Sequence, residues 1–232
     1  MNYVIINGKK STLVKGLLIQ SLPMISKPLM RANIEEIDGR DGDLITKLGY
    51  AAYDKTMQIG LFGDYDIDEV IKYFNQSGKI IFSNELDKFY RFDMLNQIDF
   101  EKLLRFKQAE VTFHCQPFKY SAVDDSFTVA TTGLSSIKVF NRGNVESRPR
   151  ISITGSGNIT LSLNGTALFT ISSLSGTIVI DGELMNAYQG TSLANRSVNG
   201  DYNKLRLVSG ENTLSWTGTI SQITVENFAR WI

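Results

Sequence analysis

The hydrophobic pattern along the first half of the chain switches between strand and helix periods. Tyr3, Val4, Ile5 and Ile6 make a short apolar run that ends at Asn7-Gly8, a dipeptide that favours a tight hairpin turn because both residues tolerate positive φ. A second strand is predicted over residues 13–22. Residues 23–34 carry Pro28 and little periodicity, and read as an extended arm or irregular edge. Asp38-Gly39-Arg40-Asp41-Gly42-Asp43 then combines two glycines with solvated charge, the chemistry of a loop tip between strands. Its acidic spacing departs from the calcium-loop pattern, which needs alternating carboxylates and a distant bidentate Glu.

One helix is predicted. Asp66 is placed to cap it, Glu69 stands three residues on, and Ile67, Val70, Ile71 and Phe74 fall at i, i+3, i+4 and i+7, with Gly78 as the stop. That stripe reads as packing against a sheet. A hairpin follows, with strands over residues 79–82 and 89–95 around the polar turn 83–88. A long strand over residues 103–115 sets Glu110, Thr112 and His114 on one side and Val111, Phe113 and Cys115 on the other.

After residue 125 the pattern changes. Short β-branched runs recur between Gly/Asn turns at residues 137–140, 150–154, 159–163, 168–172, 177–180, 204–207, 213–216 and 220–227, and no helical period is visible. Strands of this length and spacing indicate an antiparallel sandwich of Greek-key or jelly-roll type. The fold class is therefore mainly β with one helix, an α+β domain over residues 1–125 followed by an antiparallel β-sandwich over residues 126–232.

Charge changes this picture little. Lys and Arg balance Asp and Glu across the 232 residues, and the halves stand at 16 against 18 and 8 against 6, or −2 and +2. Neither half carries the field of a nucleic-acid-binding surface. The single Cys115 excludes an internal disulfide and a cysteine-rich zinc site, and suits assembly in a reducing cytosol. With no long apolar run and no basic-then-apolar leader at the start, the chain is expected neither to insert in a membrane nor to be secreted by a signal peptide.

Several segments, taken in order, resemble the distal tail protein family of long-tailed bacteriophages. These are Ile34-Glu35-Glu36-Ile37-Asp38-Gly39-Arg40-Asp41-Gly42-Asp43-Leu44 near the start and Gln116-Pro117-Phe118-Lys119-Tyr120 at the end of the first half. In the second half they are Arg148-Pro149-Arg150-Ile151, Ile180-Asp181-Gly182, Gly210-Glu211-Asn212-Thr213 and the closing Arg230-Trp231. The resemblance implies a structural hub and not an enzyme. It implies a homohexameric ring of N-terminal domains, with galectin-like C-terminal sandwiches projecting outward. The implied partners are further copies of the chain, a tail tube protein, a tail-associated hub or lysin protein and a receptor-binding protein. DNA would pass through the channel without sequence-specific contact, and the location would be the virion tail tip after assembly in the bacterial cytoplasm. In such a ring an apolar, proline-bearing arm can pair with a neighbour. The residues expected at subunit contacts are Leu22, Pro28, Leu29 and Met30 on the arm, Arg40 and Asp41 at the loop tip, and Phe89, Tyr90 and Phe92 on the hairpin.

No catalytic, cofactor or metal site is expected. His114 is the only histidine, its neighbour Cys115 points to the opposite strand face, and Asp181 and Glu183 are separated by Gly182 at a strand end, unlike paired glycosidase carboxylates. Gly155-Ser156-Gly157 reads as a hairpin turn and not a phosphate loop. The rival reading is a carbohydrate-binding module that uses Trp216, Trp231, Tyr188 or Tyr202 as an aromatic platform. It departs from sugar-binding galectins because the second half has no histidine for their His-x-Asn-Pro-Arg signature. The alternation at Leu214 and Trp216 predicts a buried Trp216. A tail-fibre reading would need a repeated shaft that the sequence lacks.

Overall fold

The computed structural model describes all 232 residues, which divide into two compact units, residues 1–122 with Ile232 and residues 123–231. The first unit contains β1 (Val4–Ile6), β2 (Lys9–Lys10), β3 (Leu17–Ile19), β4 (Met30–Glu36), β5 (Asp43–Tyr50), β6 (Tyr53–Leu61), α1 (Ile67–Phe74), β7 (Gly78–Phe82), β8 (Lys88–Asp93), α2 (Phe100–Phe106) and β9 (Gln108–Ser121). Its main sheet is antiparallel and runs β2-β1-β7-β8-β9-β6-β3. The β1–β2 turn forms at Asn7-Gly8, both at positive φ.

The alternation in β9 has the expected consequence. Val111, Phe113 and Cys115 are buried, whereas Glu110, Thr112 and His114 face outward against Gln58, Thr56 and Asp54 of β6. Phe113 packs edge-on to Phe82 and Phe92, and Phe74 of α1 closes over it. Asp66 caps α1 by accepting from the Asp68 and Glu69 amides. Glu69 does not complete a capping box. It instead accepts from Lys9 Nζ and the Lys15 amide, tying the helix to the β1–β2 region. Tyr73, which the apolar stripe missed, is also buried, and its hydroxyl donates toward the Val4 and Lys9 carbonyls.

Three local expectations need correction. There are two α-helices, because residues 103–106 belong to α2 and the strand begins at Gln108. Asp99 caps α2 by accepting from the Lys102 amide, and Lys107 in the left-handed conformation ends it, a break that apolar spacing does not reveal. Residues 13–22 form no continuous strand. A 3-10 turn occupies Ser11–Leu13, Gly16 turns the chain at φ 72°, and only Leu17–Ile19 pair with β6.

The second unit contains β10 (Phe127–Ala130), β11 (Ser136–Asn141), β12 (Arg150–Leu163), β13 (Thr166–Asp181), β14 (Asn186–Gln189), β15 (Ser192–Leu193), β16 (Val198–Gly200) and β17 (Gly210–Glu226). The runs expected separately at residues 150–154 and 159–163 are halves of β12. In the same way residues 168–172 and 177–180 belong to β13, and 213–216 and 220–227 to β17. Each long strand is irregular in the middle; β12 keeps β13 and β17 as its neighbours along both halves, whereas β13 and β17 change their outer partner. The first half of β17 pairs with β11 and the second with β10, and the first half of β13 pairs with β16 and the second with β14. Register breaks between Gly157 and Ile159 and between Thr154 and Gly155 lie on the bend. Gly218, at φ 94°, sits where a Cβ would collide with the Asn158 carbonyl oxygen. Only glycine lets the two strands approach there.

Bending folds the sheet into an antiparallel sandwich over one core that includes Ile153, Ile159, Leu161, Phe169, Ile171 and Ile223. Trp216 is 6% exposed and belongs to this core, as its alternating position predicts. Residues 204–207 are not a strand. Tyr202–Lys204 form a 3-10 turn, and Leu207 makes one isolated bridge to Ser147.

Candidate assembly surface

β4 and β5 pair only with each other. Their turn is tight because Gly39 and Gly42 adopt φ 78° and 76°, and the Arg40 amide donates to the Ile37 carbonyl. Arg40 and Asp41 lie at this exposed tip. The two strands present apolar side chains on both faces. Ile34 and Ile45 are direct cross-strand partners at 59% and 57% exposure, and Leu44 and Leu48 are exposed from alternate positions. An isolated two-stranded ribbon is marginal in water, and here no element of the first unit covers either face. Both outer edges also keep unpaired backbone groups.

The root of the hairpin is held firmly. Arm residues 20–29 lead into it without regular structure, and Lys55, itself 3% exposed, donates from Nζ to the Met24 carbonyl at 3.0 Å. Asn84 Nδ2 donates to the Pro23 carbonyl at 3.2 Å, the Ala51 amide to the Leu29 carbonyl at 2.8 Å, and Tyr50 meets Phe118 edge-on at 5.7 Å. The Lys55 ammonium lies 4.8 Å from the Tyr90 ring centre and 5.0 Å from that of Tyr53, which gives the buried cation two π faces. Burial nevertheless pulls its pKa down from the usual lysine range. Beside it Lys119 pairs with Glu85 at 2.9 Å, and Tyr90 Oη donates to the other Glu85 oxygen at 2.7 Å. Burial pushes the Tyr53 phenol up to about 12 and raises those of Tyr73 and Tyr90 as well.

The structure separates the residues expected at subunit contacts. Leu29 is exposed, Leu22 and Met30 are half-buried, and Pro28 is buried where the arm leaves the domain. Tyr90 and Phe92 are corrected: at 1% and 2% exposure they point into the core, the inward positions of β8, and have no surface to offer a neighbour. Phe89, on the opposite face of β8, is half-buried and stacks on Tyr120 at 5.4 Å. The expected set omitted Ile34, Leu44, Ile45 and Leu48. Their signal was present as an apolar run flanking an acidic turn, but sequence alone does not tell a covered ribbon from a free one.

The remaining chemistry is accounted for by packing. His114 Nδ1 lies 2.9 Å from Asp54 Oδ1, its direct cross-strand partner on the outward face. Cys115 is buried on the opposite face, where desolvation pushes its thiol up to about 12. Asp181 is buried, accepts from Arg150 Nε at 2.9 Å and from the Glu183 and Leu184 amides, and so closes a turn. No group of three or more His, Cys, Asp or Glu is placed to hold a metal ion. No helix is long and apolar enough to cross a membrane. Tyr202 packs on Phe169 at 4.9 Å and Tyr188 is half-buried.

Residues 11–115 match the model of the phage tail protein RIFT-related domain. No curated protein matches the chain by sequence. Among solved structures, the SPP1 Dit (gp 19.1) protein, described as a paradigm of the hub adsorption apparatus in phages infecting Gram-positive bacteria, is similar with a TM-score of 0.64 and 19% identity. The match covers 97% of this chain and 98% of that one. The phage P2 baseplate in its activated conformation with Ca gives a TM-score of 0.52 at 10% identity, covering 97% of this chain and 96% of that one. The same baseplate with Sr gives 0.51 at 10% identity and the same coverage. The resemblance to distal tail proteins therefore extends from short motifs to a matching domain and to the fold of nearly the whole chain.

Proposed function

We propose that the chain, whose residues 11–115 match the phage tail protein RIFT-related domain, is a structural subunit of a phage tail tip and closes with further copies into a hexameric ring. The observation that carries this reading is the β4–β5 hairpin, anchored at its root by Lys55 and Asn84 and uncovered at Ile34, Leu44, Ile45 and Leu48. Apolar side chains on both faces of a free ribbon call for a partner, and a heterologous contact repeated around an axis closes a ring. In this reading the ring joins the tail tube protein on one side to the tail-associated hub on the other, and DNA passes through its channel. The second unit, a galectin-like sandwich, projects outward to carry receptor-binding components. The work is positional and not catalytic, which fits a chain whose His114, Cys115, Asp54 and Asp181 are all engaged in packing or cross-strand pairs.

The test is mass in solution. Purified protein is expected to form, on concentration, a species near six times the 25.9 kDa chain mass. Ile45→Asp, which alters an exposed side chain, is expected to abolish that species while leaving the circular dichroism spectrum unchanged. A wild-type protein that remains monomeric both at high concentration and in the particle excludes the ring.

A further inference from the structure

A ring built from one kind of contact needs two complementary surfaces on each chain. The hairpin is one of them. Resting on the ring reading above, we infer that the other is the opposite end of the first unit's sheet, formed around Leu13, Phe62 and Phe106, and that a second copy's β4–β5 hairpin seats there.

The hydrogen-bond register brings the backbone segments that carry these residues to one end of the sheet. Phe62 immediately follows β6, and its amide donates to the Gly16 carbonyl at 2.9 Å, which brings the Leu13–Gly16 turn alongside. The Leu61 amide donates to the Lys107 carbonyl at 3.1 Å, so the end of α2 and the start of β9 arrive at the same edge. Leu13, Phe62 and Phe106 are 70%, 76% and 62% exposed. Three large apolar side chains at one end of a sheet are a concentration of exposed surface, unlike apolar residues scattered singly.

Three features point to a copy of this chain as the occupant. The first is position. The hairpin root joins the sheet at the start of β6, next to Tyr53, while the apolar end lies at its finish. Eight steps of roughly 3.3 Å, from Tyr53 to Leu61, separate the two by about 26 Å. Surfaces at opposite ends of a subunit suit head-to-tail contact. The second is charge. The hairpin tip carries Glu35, Glu36, Asp38, Asp41 and Asp43 against Arg40, whereas Arg105 and Lys107 flank Phe106 at the apolar end. The nearby carboxylate Asp64 is already paired with Lys15 at 2.5 Å. An acidic apolar ribbon and a basic-edged apolar patch attract each other and discourage like-with-like pairing. The third is stiffness. Lys107 Nζ donates to Tyr65 Oη at 2.7 Å and lies 4.4 Å from its ring centre, and a Cβ on Gly16 would collide with Tyr65, so the turns bearing the patch are packed against one another. A pre-formed acceptor loses little entropy when a strand pair docks.

Two disabled chains test the pairing. Ile45→Asp removes the donor surface and keeps the acceptor, while Phe62→Asp removes the acceptor and keeps the donor. Each alone is expected to stay at the single-chain mass under conditions where wild type assembles. Mixed one to one, they retain one working contact and are expected to give a species of twice the chain mass and nothing larger. If Phe62→Asp assembles as wild type does, or the mixture stays monomeric, this acceptor is wrong although the ring reading stands. The apolar end would then face another protein of the tail. If wild type itself never assembles, both fall. Circular dichroism and thermal melting confirm that the two variants are folded, and Phe106→Asp repeats the acceptor test at an independent exposed position should Phe62→Asp fail to fold.

Discussion

The two units solve the same problem differently. The second is nearly self-contained: β12, β13 and β17 bend at glycine-marked register breaks and cover one apolar core with their own two ends. The first builds an equally buried core around Phe113 and Phe74, yet leaves an entire hairpin outside it. It also buries charge, with Lys55 against two aromatic rings and Lys119 against Glu85, whereas the Arg150 ion pairs of the second unit stay partly open to solvent. The difference teaches that apolar content alone does not identify a core. Ile45 and Ile159 are the same residue type in hairpins of similar chemistry, but one hairpin finds its second layer within the chain and the other must take it from elsewhere.

The largest contrast is expected in stability. Trp216→Ala removes a core side chain of the second unit and should cost about 3–5 kcal/mol in denaturant unfolding. Ile45→Ala in chain held below its assembly concentration should change stability by less than about 0.5 kcal/mol. Equal losses would mean that the hairpin is covered within the monomer. A somewhat smaller effect should separate buried from exposed charge. Glu85→Gln leaves Lys119 buried without its partner and is expected to cost about 3 kcal/mol, while Lys138→Met, which breaks the exposed pair with Glu211, should cost less than about 1 kcal/mol.

Alkaline titration should also distinguish the units. Cys115 is raised from its ordinary 9.0 to about 12, so the folded thiol keeps a proton that the unfolded one releases. Stability from this group is complete below pH 9 and falls as the pH climbs toward 12, by up to about 1.4 kcal/mol per pH unit. Tyr53, raised from 10.0 to about 12, acts in the same direction above pH 10. Lys55 acts oppositely: its lowered pKa means that the penalty for its buried charge is relieved as pH rises toward 10.5. With Tyr73 and Tyr90 also raised, the net slope of the first unit is downward above pH 10, whereas Tyr202 is the corresponding raised phenol of the second. Thermal melts from pH 8 to pH 11, read by Trp216 fluorescence for the second unit and by proteolysis of the first, should show the first failing earlier. The smallest effect is local: Asp66→Ala removes the α1 cap and should cost about 1 kcal/mol.

What was legible in the sequence follows from range. Asp66, the α1 stripe, Asn7-Gly8 and the β9 alternation act through neighbours a few positions away, and each formed where the pattern placed it. The long bent strands look like separate short ones in sequence because Gly155, Gly157, Gly176 and Gly218 have the chemistry of turns. A glycine bend in a continuing strand and a glycine turn share local chemistry, and only partners across the sheet distinguish them. α2 was hidden because an apolar run over residues 103–106 flows into the strand pattern, with the break made by the left-handed Lys107. Phe89, Tyr90 and Phe92 look like one apolar surface by composition, although period-two alternation sends Tyr90 and Phe92 to the opposite face from Phe89. Ile34, Leu44, Ile45 and Leu48 are not legible as a contact surface for the converse reason, since apolar residues beside a turn ordinarily belong to the domain's own core.

Amide hydrogen exchange across residues 30–50 tests most directly whether the hairpin finds its cover in another copy. In chain held monomeric by Ile45→Asp, the outer edges of β4 and β5 should exchange nearly as fast as open loops, while β9 is protected. In the assembled wild-type protein, protection over residues 30–50 should rise about tenfold or more, with β9 unchanged. An assembled species in which the hairpin exchanges as it does in the monomer would contradict the account.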